Sequence, residues 1–300
     1  MHLVRYDGGD GPVVGVRRED WITPVSGVGS MAEILAMRRD ALRSTVESAS
    51  GEPIQVASVR LLAPLDGRAE LWCAGVTYAR SRGARMEESA EQSVYDKVYS
   101  AERPELFPKA PAWRLVTDSE PVGIRTDSGH DVPEPELAVV VSAYGEIVGY
   151  TVCNDMSSRS IEGENPLYLP QAKVFAGAAA LATGIRPAWE VPDAANLAIS
   201  LVVRRDRAEV FAGETSTAQL ARPLVQLVDF LCRANYFPDG AALATGTGIV
   251  PGLEFSLQPG DVVEIEIEEV GRLVNRVECG KEPFQWLNDR VAEAMPEETR

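Results

Sequence analysis

Histidine is nearly missing from this 300-residue chain, with only His2 and His130 present. A Ser-His-Asp triad or a His-rich metal site would have to be built around His130 alone, which disfavours most hydrolase and zinc chemistries. Cysteine is scarce as well. Cys73, Cys153, Cys232 and Cys279 lie far apart in apolar segments with no CxxC pair, so buried reduced thiols are expected. No apolar run approaches the ~20 residues of a membrane helix. The start MHLVRYDGGDGP lacks the charged, apolar and cleavage regions of a secretory leader, and a cytoplasmic location is expected. Basic residues are outnumbered, 29 Lys and Arg against 45 Asp and Glu, for a net charge of −16 and no Lys/Arg run. That balance argues against nucleic acid or an anionic membrane as the main partner and leaves small molecules and cations. A GxGxxG turn is absent, and Gly280-Lys281-Glu282 lacks the hydroxyl that a phosphate loop needs.

What is present suffices for a real core: 45% of the residues are apolar, on a length that suits one large domain or two unequal ones. The first residues read as two short strands, LVRYDGG and PVVGVRRED. The stretch SMAEILAMRRDALRSTVESA then carries Met31, Ile34, Leu35, Met37, Leu42 and Val46 near helical spacing. Ser30 with Glu33 is the spacing of a capping box. A turn near Gly51 and Pro53 closes this unit, and residues 1–64 are expected to form a small N-terminal α+β domain.

From residue 65 to 283 the texture is strand-dominated. LWCAGVTYA and LAISLVVRRD read as strands, DVVEIEIEEV as another, Met86 to Ser100 as polar helix, and Pro223 to Asn235 as a helix with Leu224, Leu227, Val228 and Leu231 on one face. The regular strand-helix beat of a doubly wound sheet is missing. Residues 284–300 read as an acidic tail that frays after Gln285.

The most informative segment runs from Pro133 to Phe175. ELAVVVSAYGEIVGYTVCND predicts a hairpin turning at Tyr144, Gly145 and Glu146. On an extended EPELAVVV, Glu134 and Glu136 share one side, about 7 Å apart, while Leu137, Val139 and Val141 take the other. The returning strand brings Asp155 back toward them. Three carboxylates without His or Cys beside them form a hard oxygen site suited to Mg²⁺, or to Mn²⁺ or Ca²⁺, with room for a bidentate 2-oxo acid. The same spacing also suits a solvated strand face with Asp155 capping a turn. Lys173, in LPQAKVFAGAAALATG, either snorkels to the surface or serves these acids. Arg159 forms a structural ion pair or holds a substrate carboxylate. The turn ATGTGIVPG offers hydroxyls and N–H groups to a carboxylate, or merely turns.

In this order the E-x-E-L-A-V-V-V, G-Y-T-V-C-N-D-M-S-S-R, P-Q-A-K and T-G-T-G motifs resemble the fumarylacetoacetate hydrolase family over roughly residues 70 to 280. The resemblance implies a mixed β-sandwich roll, a divalent metal on Glu134, Glu136 and Asp155, a functional Lys173, and a homodimer or homotetramer. Hydrolase and decarboxylase members continue their first core strand with N-Y-x-x-H and a following Glu, which activate water. Here Thr77, Tyr78, Ala79, Arg80 and Ser81 stand instead, with Ala84 beyond, so the dyad is missing.

YSAERPELFPKA and IEGENPLYLPQAKVF are similar to the branch of 2-dehydro-3-deoxy-D-arabinonate (2-keto-3-deoxy-pentonate) dehydratases, over nearly the whole chain. That likeness implies a Mg²⁺-dependent hydro-lyase giving 2,5-dioxopentanoate. Glu105 is then the proton shuttle, Lys173 an electrostatic partner of the substrate's enolate oxygen or a donor to the substrate, and Ser81, Arg159 and Thr247 the substrate contacts. The runner-up in the family is an acylpyruvate hydrolase or oxaloacetate decarboxylase. A different class would use Lys173 as a Schiff-base nucleophile, which borohydride trapping reveals.

Overall fold

The structure, a computed structural model, describes residues 1–88 and 92–294. Its largest sheet runs through Ile54–Gln55, Trp21–Pro24, Pro12–Arg18, His2–Asp7, Gly184–Pro187, Ile147–Asp155, Pro135–Val141, Ala241–Ala244, Glu70–Gly75 and Glu105–Pro111 in spatial order. Neighbours along this path are antiparallel, except that Ala241–Ala244 pairs parallel with Glu70–Gly75. The strands of the first 64 residues continue it, because Leu3 lies opposite Ile185. A second sheet takes the order Ala208–Ser216, Ala198–Arg205, Val262–Ile267, Gly271–Cys279, Val122–Ile124. This is the strand-dominated α+β sandwich with mixed sheets expected from the sequence.

The two sheets enclose one core, where Leu137, Val139, Val141 and Val152 meet Leu201, Val203, Ile265 and Leu273. On the opposite face of the large sheet, Ala138, Val140, Ala242 and Ala244 pack with Met31, Ile34, Leu35, Leu42 and Val46. Burial on both faces explains why ELAVVV reads as a continuous apolar run rather than a clean alternation. The hairpin turn falls where expected, between Val141 and Ile147, with Gly145 at φ 70°. Glycine takes that left-handed conformation without a Cβ penalty.

The N-terminal helix departs from its expected course by splitting into Met31–Leu35 and Arg39–Glu47. Ser30 caps the first piece, accepting from Glu33 N–H, while the Glu33 carboxylate accepts from Gly29 N–H rather than closing a capping box on Ser30. The break is made by the hairpin turn. Ala143 N–H donates to the Leu35 carbonyl at 2.8 Å, and Glu146 accepts from Arg39 N–H at 2.7 Å. These bonds satisfy groups that a continuous helix would have paired internally.

The polar helical segment spans Ala79–Glu88 and Gln92–Ser100, with residues 89–91 outside the described residues. The expected fraying after Gln285 is not found: Trp286–Ala294 is helical, anchored by buried Leu287 and by Arg290, which donates to the Leu115 carbonyl at 2.9 Å and pairs with Glu120. Residues 295–300 lie outside the described residues. All four cysteines are free, Cys73 and Cys153 buried and the other two half-buried. Among the described residues no helix is long and apolar enough to cross a membrane.

Asp131, beside the short pairing of Asp131–Val132 with Ser157–Ser158, is buried, and burial pushes its carboxyl up from 3.8 to about 6. An acid with a raised folded-state pKa binds its proton more tightly folded than unfolded, so stability falls as pH rises through the window between those values. Asp131→Asn is therefore expected to stabilise the protein at pH 7.5 by up to about 3 kcal/mol, with the gain vanishing near pH 4. Urea denaturation of both proteins at the two pH values checks this.

Candidate metal centre

The central hairpin sets the site. Glu136 stands opposite Cys153, and Asp155 N–H donates to the Glu134 carbonyl at 3.0 Å, closing the open end of the hairpin. Side chains two apart share a face, so Glu134, Glu136, Cys153 and Asp155 gather on one side of the sheet. None is on a solvated face: Glu134 is 3% exposed, Glu136 1% and Asp155 1%. The turn after Ala241–Ala244 adds a backbone donor, Gly246 N–H to Glu136 Oε2 at 2.7 Å. Gly246 sits at φ 92°, and a Cβ there would lie 2.0 Å from Thr77 Oγ1, so only glycine lets the turn approach. Next to it, Val76 is held at φ 53°, a conformation that costs a β-branched residue about 1–3 kcal/mol.

Three buried cations interleave with the acids. Lys173 Nζ lies 3.0 Å from Glu134 Oε2, 2.9 Å from Asp155 Oδ2 and 2.5 Å from Ser157 Oγ. Lys109 Nζ lies 2.5 Å from Asp155 Oδ1 and donates to the Met156 carbonyl at 2.8 Å. Arg159 reaches Glu134 Oε1 at 3.2 Å. Burial pushes the Asp155 carboxyl up, but Lys109 and Lys173 outweigh it and bring it down to about 2. Glu136 moves the other way: burial, then the charges of Asp155 and Glu134, push it well above the usual carboxylate range.

One cavity is lined by Glu105, Glu134, Glu136, Asp155, Glu162 and Lys173, and by Ser81 and Thr247. Seven of the eight site residues expected from the sequence therefore converge, and the eighth, Arg159, stands behind Glu134. Lys173 does not snorkel to the surface. The hydroxyls of Ser81 and Thr247 are already engaged locally, donating to the carbonyls of Tyr78 and Ile249. Sequence reasoning missed Lys109, Glu162 and Cys73. Glu162 had one signal, its position three residues after Arg159 on the short helix Arg159–Glu164.

The residues fit a hard divalent cation. Burial, and then the like charges of Asp155 and Glu134, disfavour the ionised form of Glu136, and a cation set among these carboxylates would offset that repulsion. Carboxylate oxygens are the ligands Mg²⁺ selects. A potential ligand group here also includes sulfur, which the sequence reading did not expect: Cys73, Glu136 and Asp155 place ligand atoms within 4.8 Å of one another. Glu134 lines the same cavity with its oxygens on Arg159 and Lys173.

Comparison with known proteins agrees with this architecture. Residues 70–278 match the family described as Fumarylacetoacetate (FAA) hydrolase C-terminal, and residues 1–64 match one described as Rv2993c-like, N-terminal. A protein of Haloferax volcanii named as a probable 2-keto-3-deoxyxylonate dehydratase is 47% identical over 214 residues, 71% of this chain and 73% of that protein. The 2-dehydro-3-deoxy-D-arabinonate dehydratase of Saccharolobus solfataricus is 40% identical, over 74% of this chain and 76% of its own. A solved 2-keto-3-deoxy-D-arabinonate dehydratase, complexed with magnesium and 2,5-dioxopentanoate, superposes with a TM-score of 0.80 at 32% identity, covering 93% of this chain and 99% of that one. The chain belongs to the fumarylacetoacetate hydrolase family.

Proposed function

We propose that this chain is a Mg²⁺-dependent hydro-lyase that dehydrates a 2-keto-3-deoxy-pentonate, derived from arabinonate or xylonate, to 2,5-dioxopentanoate. The relatives named as dehydratases of these acids support the reading, as does the solved relative holding magnesium and 2,5-dioxopentanoate. One observation carries it against hydrolysis or decarboxylation. Neither His2 nor His130 lines the cavity, and Ser81 occupies the wall where the family resemblance would place a water-activating His.

Glu134, Glu136 and Asp155 are the residues that would hold the ion. When bound, Mg²⁺ supplies Lewis-acid polarisation of the 2-oxo group. Glu105, on the cavity wall, removes a C3 proton and delivers one to the departing C4 hydroxyl, which leaves as water. It then moves a proton from C5 to C3, leaving an enol across C4 and C5, and the enol hydroxyl proton passes to C4, so that the C5 alcohol becomes an aldehyde. Lys173 steadies negative charge on substrate oxygen, and Thr247, Ser81 and Arg159 line or brace the binding position. The reading extends to a small N-terminal domain over residues 1–64, a catalytic domain over 65–283 and a tail over 284–300. It extends equally to a cytoplasmic homodimer or homotetramer that tolerates Mn²⁺ or Ca²⁺.

Incubation with 2-keto-3-deoxy-pentonate and Mg²⁺, coupled to an aldehyde dehydrogenase, tests it. The expected result is stoichiometric 2,5-dioxopentanoate that disappears with chelator. Products of C–C cleavage would contradict it and favour a hydrolase or decarboxylase.

A further inference from the structure

Between the strands Glu70–Gly75 and Glu105–Pro111 the chain makes a helical excursion, and it delivers Ser81 near its start and Glu105 at its end to the cavity wall. A single loop fastens both ends of that excursion. Leu220 bridges to Tyr78, and Ala221 N–H donates to the Thr77 carbonyl at 2.9 Å. Arg222 takes the other end: its guanidinium donates to the carbonyls of Val98 at 3.1 Å, Tyr99 at 3.4 Å and Glu102 at 3.2 Å, and to that of Ala101. These carbonyls lie in the last turn of the helix Gln92–Ser100 and just beyond it, where intrahelical donors run out, and that of Val98 also accepts from Ala101 N–H at 3.3 Å.

Arg222 is only 7% exposed, and no carboxylate pairs with it among the described residues. A buried guanidinium loses several kcal/mol of hydration, and here main-chain oxygens alone compensate. The link from that grip to Glu105 is short and stiff. Only Arg103 and Pro104 intervene; the proline fixes its own φ and narrows the backbone choices of Arg103, while the Arg103 guanidinium lies 5.5 Å from the Phe230 ring centroid. Beyond it the Glu105 carboxylate packs against Gly75, where a Cβ would lie 2.0 Å from Glu105 Oε2. Small shifts of residues 101 and 102 therefore have little slack before they displace the carboxylate.

We infer that Arg222 is a positioning residue, which holds the exit of the helical excursion so that Glu105 meets the reacting carbons. The inference rests on Glu105 acting as the proton carrier. In the full chain, Arg222→Met is expected to lower kcat about 100-fold, the scale of an ångström-sized misplacement. KM should change far less, and Mg²⁺ affinity measured by calorimetry should stay unchanged. Arg222→Lys, which keeps a donor, should recover part of the loss and covers the case in which the Met variant does not fold. In a Glu105→Gln background, Arg222→Met should cost nothing further. Backbone amide exchange over residues 98–105 should quicken in Arg222→Met. Losses that multiply with Glu105→Gln, or unchanged exchange in that segment, would overturn the inference. A wild-type chain inactive on 2-keto-3-deoxy-pentonates would instead overturn the functional reading, and the exchange measurement, which needs no substrate, tells the two failures apart.

Discussion

Glu136→Gln is expected to lower magnesium-dependent turnover by about 10³-fold while leaving the metal-free protein as stable as before, or more so. The carboxylate is 1% exposed, and burial together with the charges of Asp155 and Glu134 pushes its pKa well above the ordinary range. Its contribution to folding is therefore favourable only while it carries a proton, and it turns unfavourable as pH rises above the unfolded value. A neutral amide of nearly the same shape removes that penalty. Thermal denaturation should show Mg²⁺ raising the Tm of the wild type and not of the variant, and the metal-free variant should match or exceed the wild type at pH 8. A variant that binds Mg²⁺ as tightly as the wild type would show that Glu136 is no ligand.

Asp155→Asn has the opposite sign in stability, although the two acids lie in the same cavity. Asp155 forms an ion pair with Lys109 through Oδ1 and accepts from Lys173 on Oδ2, both ammoniums buried. Burial alone would raise its pKa, yet the two cations hold it at about 2. A carboxyl lowered in the folded state stabilises the fold above its unfolded pKa, and that stabilisation is lost as pH falls toward the folded value. Replacing it with an amide leaves two interior cations without their shared counter-charge, a loss of about 3–5 kcal/mol at pH 7. Urea denaturation measures the loss, and adding Lys109→Met to Asp155→Asn should restore part of it. If the double variant is less stable than Asp155→Asn, the stranded charge is not the cause.

The features legible in the sequence are those fixed within a few residues of chain. Alternation placed Glu134 and Glu136 on one side, the Tyr144-Gly145-Glu146 turn folded the strand back, and the pairing register then brought Asp155 home. The cap at Ser30 is equally local. What escaped was set by pairing between remote segments. Lys109 reaches Asp155 from a strand four places away in the sheet order, and Cys73 comes from the strand beside it. Nothing in LFPKAP marks its lysine as a buried counter-ion. The helix break near Ala36 has the same origin, since the bonds that compete with helix continuation come from the hairpin turn at residues 143 and 146. The C-terminal helix escaped because an acidic composition outweighed, in the reading, the few side chains that anchor it, Leu287 and Arg290 among them.

The most direct measurement is an anomalous difference map from crystals grown with Mn²⁺ in place of Mg²⁺. One peak is predicted, in the cavity between Lys173 and Gly246, bonded to oxygens of Glu134, Glu136 and Asp155 at roughly 2.0–2.3 Å, with the Cys73 sulfur uncoordinated. A peak outside that cavity, or one bound by the Cys73 sulfur while Glu134 stays on Arg159 and Lys173, would contradict the account.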